Sequence, residues 1–399
     1  MRWVLALAVV SLSCAVALAD DSVLPGRRGQ FPKTRDDVHL EMVFNTVLCT
    51  EGRLGDESGV IDMVWGSCTP NQPPGVYNSS YMPFFVDYRT GFDVAWYQAH
   101  HPDWLAYKCD RTSLAYLDEK HQPPLDFANP AVQQYQWSVW VDGPLSQGYP
   151  SIAIDLLHLT NNNGRCGHFD GSQWVQEYNG EVDQQKYRHD VLAWEKLMLQ
   201  HIHAYNGTAT MQVNVTYDIG TLFSDDNLKL MTTADLLFDE RGFTNWGDTR
   251  NVSTPDEWTT IVEKLQYVQS HGLCYTTNGE EPGSSADITP AERQWVIGNY
   301  LLVRNNCTYM YMSGRQDYGY LTLFPEYAAD FGSPAGDMTL VQGAWERLYS
   351  SGLTLVNPYD ATAVVDLPRG HWTDVDGNPV TSPVTLQHQT ALVLLKVKH

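Results

Sequence analysis

Two carboxylates sit where apolar runs end. Asp155 interrupts SIAIDLL (151–157), and Glu240 follows DLLFD (235–239). Burying an unpaired charge costs several kcal/mol or more, roughly. Such residues therefore belong at strand ends, where they can be solvated, capped, ion-paired or put to chemical use. A carboxylate pair is what glycoside hydrolysis needs: one acid protonates the leaving oxygen and the other carboxylate acts as nucleophile or base. A separation of about 5–5.5 Å gives retention of configuration, and about 6.5–9.5 Å gives inversion. Asp239 competes with Glu240 for the second role. Strand alternation sends neighbouring side chains to opposite sides, and Glu240 is favoured, with Arg241 and the loop GFTNWGD (242–248) beside it.

Other strand ends offer Asp87, Asn214, Trp246 and Asn278 as substrate-binding candidates. Carboxylates and amides hydrogen-bond hydroxyls, and aromatic faces stack on sugar CH groups, so this set suits a carbohydrate. Asn214 also heads an N-x-S/T sequon. A pocket residue cannot carry a glycan, so the two roles exclude each other, and the pocket role is favoured. His158 reads as a satisfied structural histidine, and His100, His101 and Trp104 as a helix end packing on its neighbours. No G-x-S-x-G elbow, H-E-x-x-H helix or EF-hand loop occurs. No metal ligand is assigned and no cofactor is expected.

The elements that must position these residues alternate. Strand-like runs lie at 60–66, 82–88, 104–109, 151–157, 209–215, 235–240, 273–278 and 308–313. Helical periods lie between several of them, most plainly 186–205, 253–272 and 289–306. Alternation implies a parallel sheet, and eight strands over this length imply an α/β fold of the (β/α)8 TIM-barrel class. Asp155 then ends the fourth strand and Glu240 the sixth, so their tips face one bowl. HLEMVFN (39–45) competes for the role of first strand, and 67–80 cannot hold a normal helix. A doubly wound open sheet is the alternative, but it usually carries a Gly-rich phosphate loop, and no G-x-G-x-x-G is present. The tail changes to short β runs separated by Gly, Pro, Asn and Asp. The expected layout is a signal peptide (1–19), an irregular leader (20–37), the barrel (38–350) and a small C-terminal β appendage (351–399).

The chain has 399 residues and a formal charge of -22. Like charge disfavours nucleic acid and anionic membranes as partners. Arg2, an apolar run and Ala17-Leu18-Ala19 before Asp20 make a secretory signal peptide. No other stretch is long and apolar enough to span a bilayer. A secreted, extracellular protein with no membrane segment after cleavage is expected. Losing Cys14 leaves Cys49, Cys68, Cys109, Cys166, Cys274 and Cys307. Their number alone allows many pairings. The barrel order favours Cys109–Cys166 across strands three and four and Cys274–Cys307 across strands seven and eight, with Cys49–Cys68 remaining. Sequons stand at Asn78, Asn206, Asn214, Asn251 and Asn306, suggesting a glycoprotein.

Several blocks together resemble secreted glycoside-hydrolase-like families with (β/α)8 barrels. They are HHPDWLAYKCD (100–110), PLDFANPAVQQYQ (124–136), IAIDLLHLTNNNGRCGHFDG (152–171), DLLFDERGFTNWGD (235–248) and the ending from 353. The resemblance runs from about 60 to 395. A carboxylate on strand four and another on strand six is similar to several retaining glycosidase groups. The resemblance implies Asp155 as nucleophile and Glu240 as acid/base in a glycosidase acting on a poly- or oligosaccharide. A secreted barrel that binds carbohydrate without turnover is the alternative, and it need not hold the two carboxylates at catalytic separation. A deacetylase would want a metal with His and Asp ligands.

Overall fold

The computed structural model describes residues 30–32, 38–44, 49, 59–117, 121–216, 221–247 and 254–397. The expected signal peptide, most of the leader and the sequon at Asn251 lie outside the described residues.

Eight parallel strands close into a barrel, as the alternation predicts. They are β1 (Leu40–Val43), β2 (Ile61–Trp65), β3 (Tyr77–Pro83), β4 (Ser151–Leu157), β5 (Thr210–Val215), β6 (Leu236–Asp239), β7 (Cys274–Glu281) and β8 (Thr308–Gly314). Each pairs with its neighbours in sequence, and β1 closes on β8 through Leu40 and Met310. Four helices follow the later strands: α1 (Gln185–Tyr205), α2 (Asp225–Thr232), α3 (Pro255–Ser270) and α4 (Pro290–Val303). Thr254 and Thr289 cap α3 and α4, each followed by Pro at the first turn, and Thr289 forms a full capping box with Glu292.

Strand assignment differs from the sequence expectation at two places. The run 39–45 does hold the first strand, and the expected strand at 104–109 is not in the barrel. Tyr107–Lys108 pairs instead with Arg165–Asp170 in a small antiparallel sheet completed by Gln173–Gln176. Its apolar character comes from a second core inside the long β3–β4 connection, where Tyr97, Leu105, Leu114, Leu125 and Val132 pack together. The other difference is β3, which runs Tyr77–Pro83 instead of 82–88 and so begins inside the 67–80 segment expected to be a connection. Pro83 still pairs with Asp155 and the Phe84 N–H donates to the Asp155 carbonyl at 3.1 Å, after which Phe84 and Phe85 pack in the core beyond the strand.

Three disulfides join the expected pairs, although the segment before Cys109 belongs to the small antiparallel sheet and not to a barrel strand. Cα atoms stand 5.8 Å apart for Cys49–Cys68, 5.0 Å for Cys109–Cys166 and 4.9 Å for Cys274–Cys307, inside the usual range. No helix among the described residues is long and apolar enough to cross a membrane.

The C-terminal appendage is a six-stranded antiparallel sheet and a two-stranded one. Its first strand, Thr339–Val341, precedes the expected start at 351. The larger sheet docks on α4. Arg347 Nη1 donates to the carbonyls of Leu301, Leu302 and Arg304 at 3.2, 3.1 and 2.6 Å, supplying partners at a helix end.

Candidate active site

The β4–β5 pairing breaks at the residues of interest. Ile154 faces Val213 and Leu157 faces Val215, so Asp155 and Leu156 together oppose Asn214 alone. This is a β-bulge, which bends a strand and re-aims a side chain. Leu156 pays for it with φ of 66°, a left-handed conformation worth about 1–2 kcal/mol for a residue with a Cβ. The Leu156 N–H donates to Asp155 Oδ1 at 2.8 Å, so the turn itself helps hold the carboxylate.

Asp155 has two further donors. Tyr81 Oη donates to its Oδ2 at 2.8 Å and Asn214 Nδ2 to its Oδ1 at 2.9 Å. The same Asn214 nitrogen donates to Glu240 Oε2 at 2.8 Å. Those two carboxylate oxygens can therefore be no farther apart than about 5.7 Å, the two bonds laid end to end. Tyr318 Oη donates to the other oxygen of Glu240 at 3.0 Å. Burial and the nearby carboxylates push both phenols far up, so they stay donors.

Glu240 stands just past the end of β6, and Asp239 before it points the other way. Asp239 accepts from Lys264 Nζ of α3 at 2.5 Å and from the Tyr275 hydroxyl, a buried ion pair behind the barrel wall. Asp239 and Glu240 thus lie on opposite sides of the barrel wall, as strand alternation requires. Gly242 lets the chain leave Glu240: at φ of 50° a Cβ would meet the Asn278 carbonyl oxygen at 1.7 Å.

The electrostatics divide the pair. Burial first, and then the charge of Asp155, push Glu240 up to about 7. Burial also raises Asp155, but Tyr81, Asn214 and the Leu156 N–H all favour its charged form. Two carboxyls this close behave as one titrating unit. With three donors on Asp155 and two on Glu240, the shared proton belongs on Glu240.

The remaining expected residues divide. Asn214 is buried between the carboxylates, which leaves no room for a glycan. Asn278 is also buried, and its amide faces the Glu240 carbonyl at 3.4 Å. Trp246 lies on the rim, its carbonyl accepting from Arg315 and its ring under the Arg241 guanidinium at 5.3 Å. Asp87 does not join the site. It is fully buried, accepts from Tyr97 Oη at 2.6 Å and Tyr135 Oη at 2.9 Å, and pairs with Arg89 at 2.9 Å. Because β3 ends at Pro83, Asp87 falls past the barrel rim and into the second core. His158 is structural, with Nδ1 at 2.8 Å from the Leu156 carbonyl and burial lowering it to about 4.

Tyr81, Tyr318 and Phe44 escaped sequence reasoning. Phe44 packs against Tyr81 and Tyr318 at ring distances of 5.4 and 6.0 Å, forming an aromatic wall beside the carboxylates. Placing the end of β3 at Pro83 would have put Tyr81 at a strand tip.

Residues 76–353 match the model of the family described as Hypothetical glycosyl hydrolase family 15. No curated protein matches the sequence. A solved noncanonic maltogenic α-amylase of Thermotoga neapolitana is similar over 91% of this chain and 99% of that one, at 11% identity and a TM-score of 0.51. An Anoxybacillus α-amylase covers 91% of this chain and 98% of its own, at 12% identity and a TM-score of 0.49. At such identity the likeness to the Thermotoga enzyme is one of fold.

Proposed function

We propose that this chain, which belongs to Hypothetical glycosyl hydrolase family 15, cleaves O-glycosidic bonds of a poly- or oligosaccharide with Asp155 as nucleophile and Glu240 as acid/base. The observation that carries this reading is the single Asn214 amide nitrogen that donates to both carboxylates. It brings one oxygen of each carboxylate within about 5.7 Å of the other, which supports the retaining arrangement.

Asp155 attacks the anomeric carbon while Glu240 gives its proton to the departing glycosidic oxygen. The C–O bond to the leaving sugar breaks as a glycosyl ester to Asp155 forms. Glu240, now a carboxylate, takes a proton from water, which attacks the same carbon and frees Asp155. Leu156 N–H, Tyr81 and Asn214 stabilise the Asp155 carboxylate in the resting enzyme and as it leaves. Trp246 and the aromatic wall of Phe44, Tyr81 and Tyr318 offer apolar faces to sugar CH groups. The three disulfides fit an oxidising compartment, which agrees with secretion.

The test is a polysaccharide and oligosaccharide hydrolysis screen of the wild type beside Asp155→Asn and Glu240→Gln. Activity is expected in the wild type alone. Activity surviving in both variants removes these residues from the mechanism.

A further inference from the structure

A second cluster of chemistry-bearing side chains stands apart from the carboxylate pair. Asp126 comes from the β3–β4 connection, His168 from the strand Arg165–Asp170, and Glu177 from just past the strand Gln173–Gln176. One ligand-type atom of each lies within 4.8 Å of the other two. His168 Nδ1 is 2.9 Å from Asp126 Oδ2 and 3.5 Å from Glu177 Oε1.

These are ion-pair distances. Asp126 Oδ2 and His168 Nδ1 are both sealed from solvent, and neither has a hydrogen-bond partner. Asp126 is only 2% exposed, and its other oxygen accepts from the Ala128 N–H at 3.2 Å. A buried polar atom that lacks a well-aligned hydrogen bond is costly, and a cation held between the three side chains would satisfy both atoms. Around a tetrahedral ion with bonds of about 2.0–2.1 Å, neighbouring ligand atoms are roughly 3.3–3.4 Å apart. The two measured separations lie on either side of that value.

The backbone holds the three residues firmly. Glu177 N–H and Tyr178 N–H both donate to the Cys166 carbonyl, at 2.8 and 2.9 Å, and Asp126 N–H donates to the Trp104 carbonyl at 2.8 Å. His168 pairs with Val175 across the hairpin. The nearby Arg165 guanidinium is committed elsewhere, donating to the Leu125 carbonyl at 2.7 Å and lying over the Phe85 ring at 4.2 Å.

We propose that Asp126, His168 and Glu177 bind one divalent cation of the zinc class, with water completing the shell. One imidazole and two carboxylates suit zinc. Calcium asks for six to eight oxygens at longer range, which three converging side chains do not supply. The ion would tie the β3–β4 connection to the hairpin that follows β4, next to the Cys109–Cys166 disulfide. The site is independent of the glycosidase reading, and its test reads no activity.

The untagged full chain, stripped with a chelator, is titrated with Zn2+ by calorimetry, and Co2+ absorption and melting temperature are followed in parallel. One equivalent of Zn2+ per chain, a tetrahedral Co2+ spectrum and a zinc-dependent rise in melting temperature are expected. Glu177→Gln alters the most exposed of the three ligands and should fold while losing roughly a hundredfold in zinc affinity. His168→Gln should lose stoichiometric binding. A folded wild type that takes up no stoichiometric zinc overturns the proposal, as does zinc held with unchanged affinity by Glu177→Gln. Either result leaves the triad as an imidazolium between two carboxylates.

Discussion

Asp155 and Glu240, from barrel strands two apart, are joined through one nitrogen: Asn214 Nδ2 reaches an oxygen of each, at 2.9 and 2.8 Å. The bulge in β4 turns Asp155 towards that nitrogen, and Gly242 lets the chain turn away just past Glu240.

The first prediction concerns pH. As the proposed acid, Glu240 must carry its proton, and burial and Asp155 push it up to about 7. kcat/KM should fall as pH rises through about 7. On the acid side it should fall as Asp155 protonates, above the ordinary carboxylate range because burial raises that group. Stability follows the same group. Its folded value of about 7 exceeds the ordinary 4.5, so the native state holds the proton longer than the unfolded chain. That contribution is complete below about 4.5 and is lost as pH rises through 7. Denaturant unfolding across this window should show the decline in wild type and a flatter curve in Glu240→Gln.

Asn214→Ala removes a donor that favours the charged form of both carboxylates. Both limbs of the pH–rate profile should move upward. kcat should fall by about a hundredfold as the pair loses its fixed separation. An unshifted profile with only KM changed would make Asn214 a substrate contact and nothing more.

Gly242→Ala places a Cβ 1.7 Å from the Asn278 carbonyl oxygen at a positive φ. The backbone conformation alone should cost about 1–3 kcal/mol, with the clash adding to it. Thermal melting should register this loss, and kcat should drop because Glu240 lies two residues away. A variant with wild-type stability and rate would mean that the loop does not position Glu240.

Lys264→Met takes from the buried Asp239 carboxylate the ammonium that pairs with it. Removing one partner of a buried pair should cost about 3–5 kcal/mol. Adding Asp239→Asn should recover much of that loss, which chemical denaturation of the single and double variants measures.

Much of this was legible in the sequence because a charge inside an apolar run is costly and must have a reason. That logic found Asp155, and alternation chose Glu240 over Asp239, which the Asp239–Lys264 pair accounts for. Residues 104–109 misled because their apolar side chains fill the second core. Residues 84–86 misled similarly, since their apolar side chains pack in the core beyond β3. Asp87 was misplaced as a result, and Tyr81 and Tyr318 were missed. Asp126, His168 and Glu177 leave no local motif, because three separate backbone segments bring them together.

As the proposed nucleophile, Asp155 carries the sugar in the covalent intermediate. The most direct measurement is mass spectrometry of peptides from protein treated with a panel of activated 2-deoxy-2-fluoro glycosides, which slow release of a covalent intermediate. One glycosyl group should appear on the peptide that contains Asp155, with Asp155→Asn unlabelled. A label on Glu240, or hydrolysis of the matching unmodified glycoside with no label trapped anywhere, would contradict the assignment.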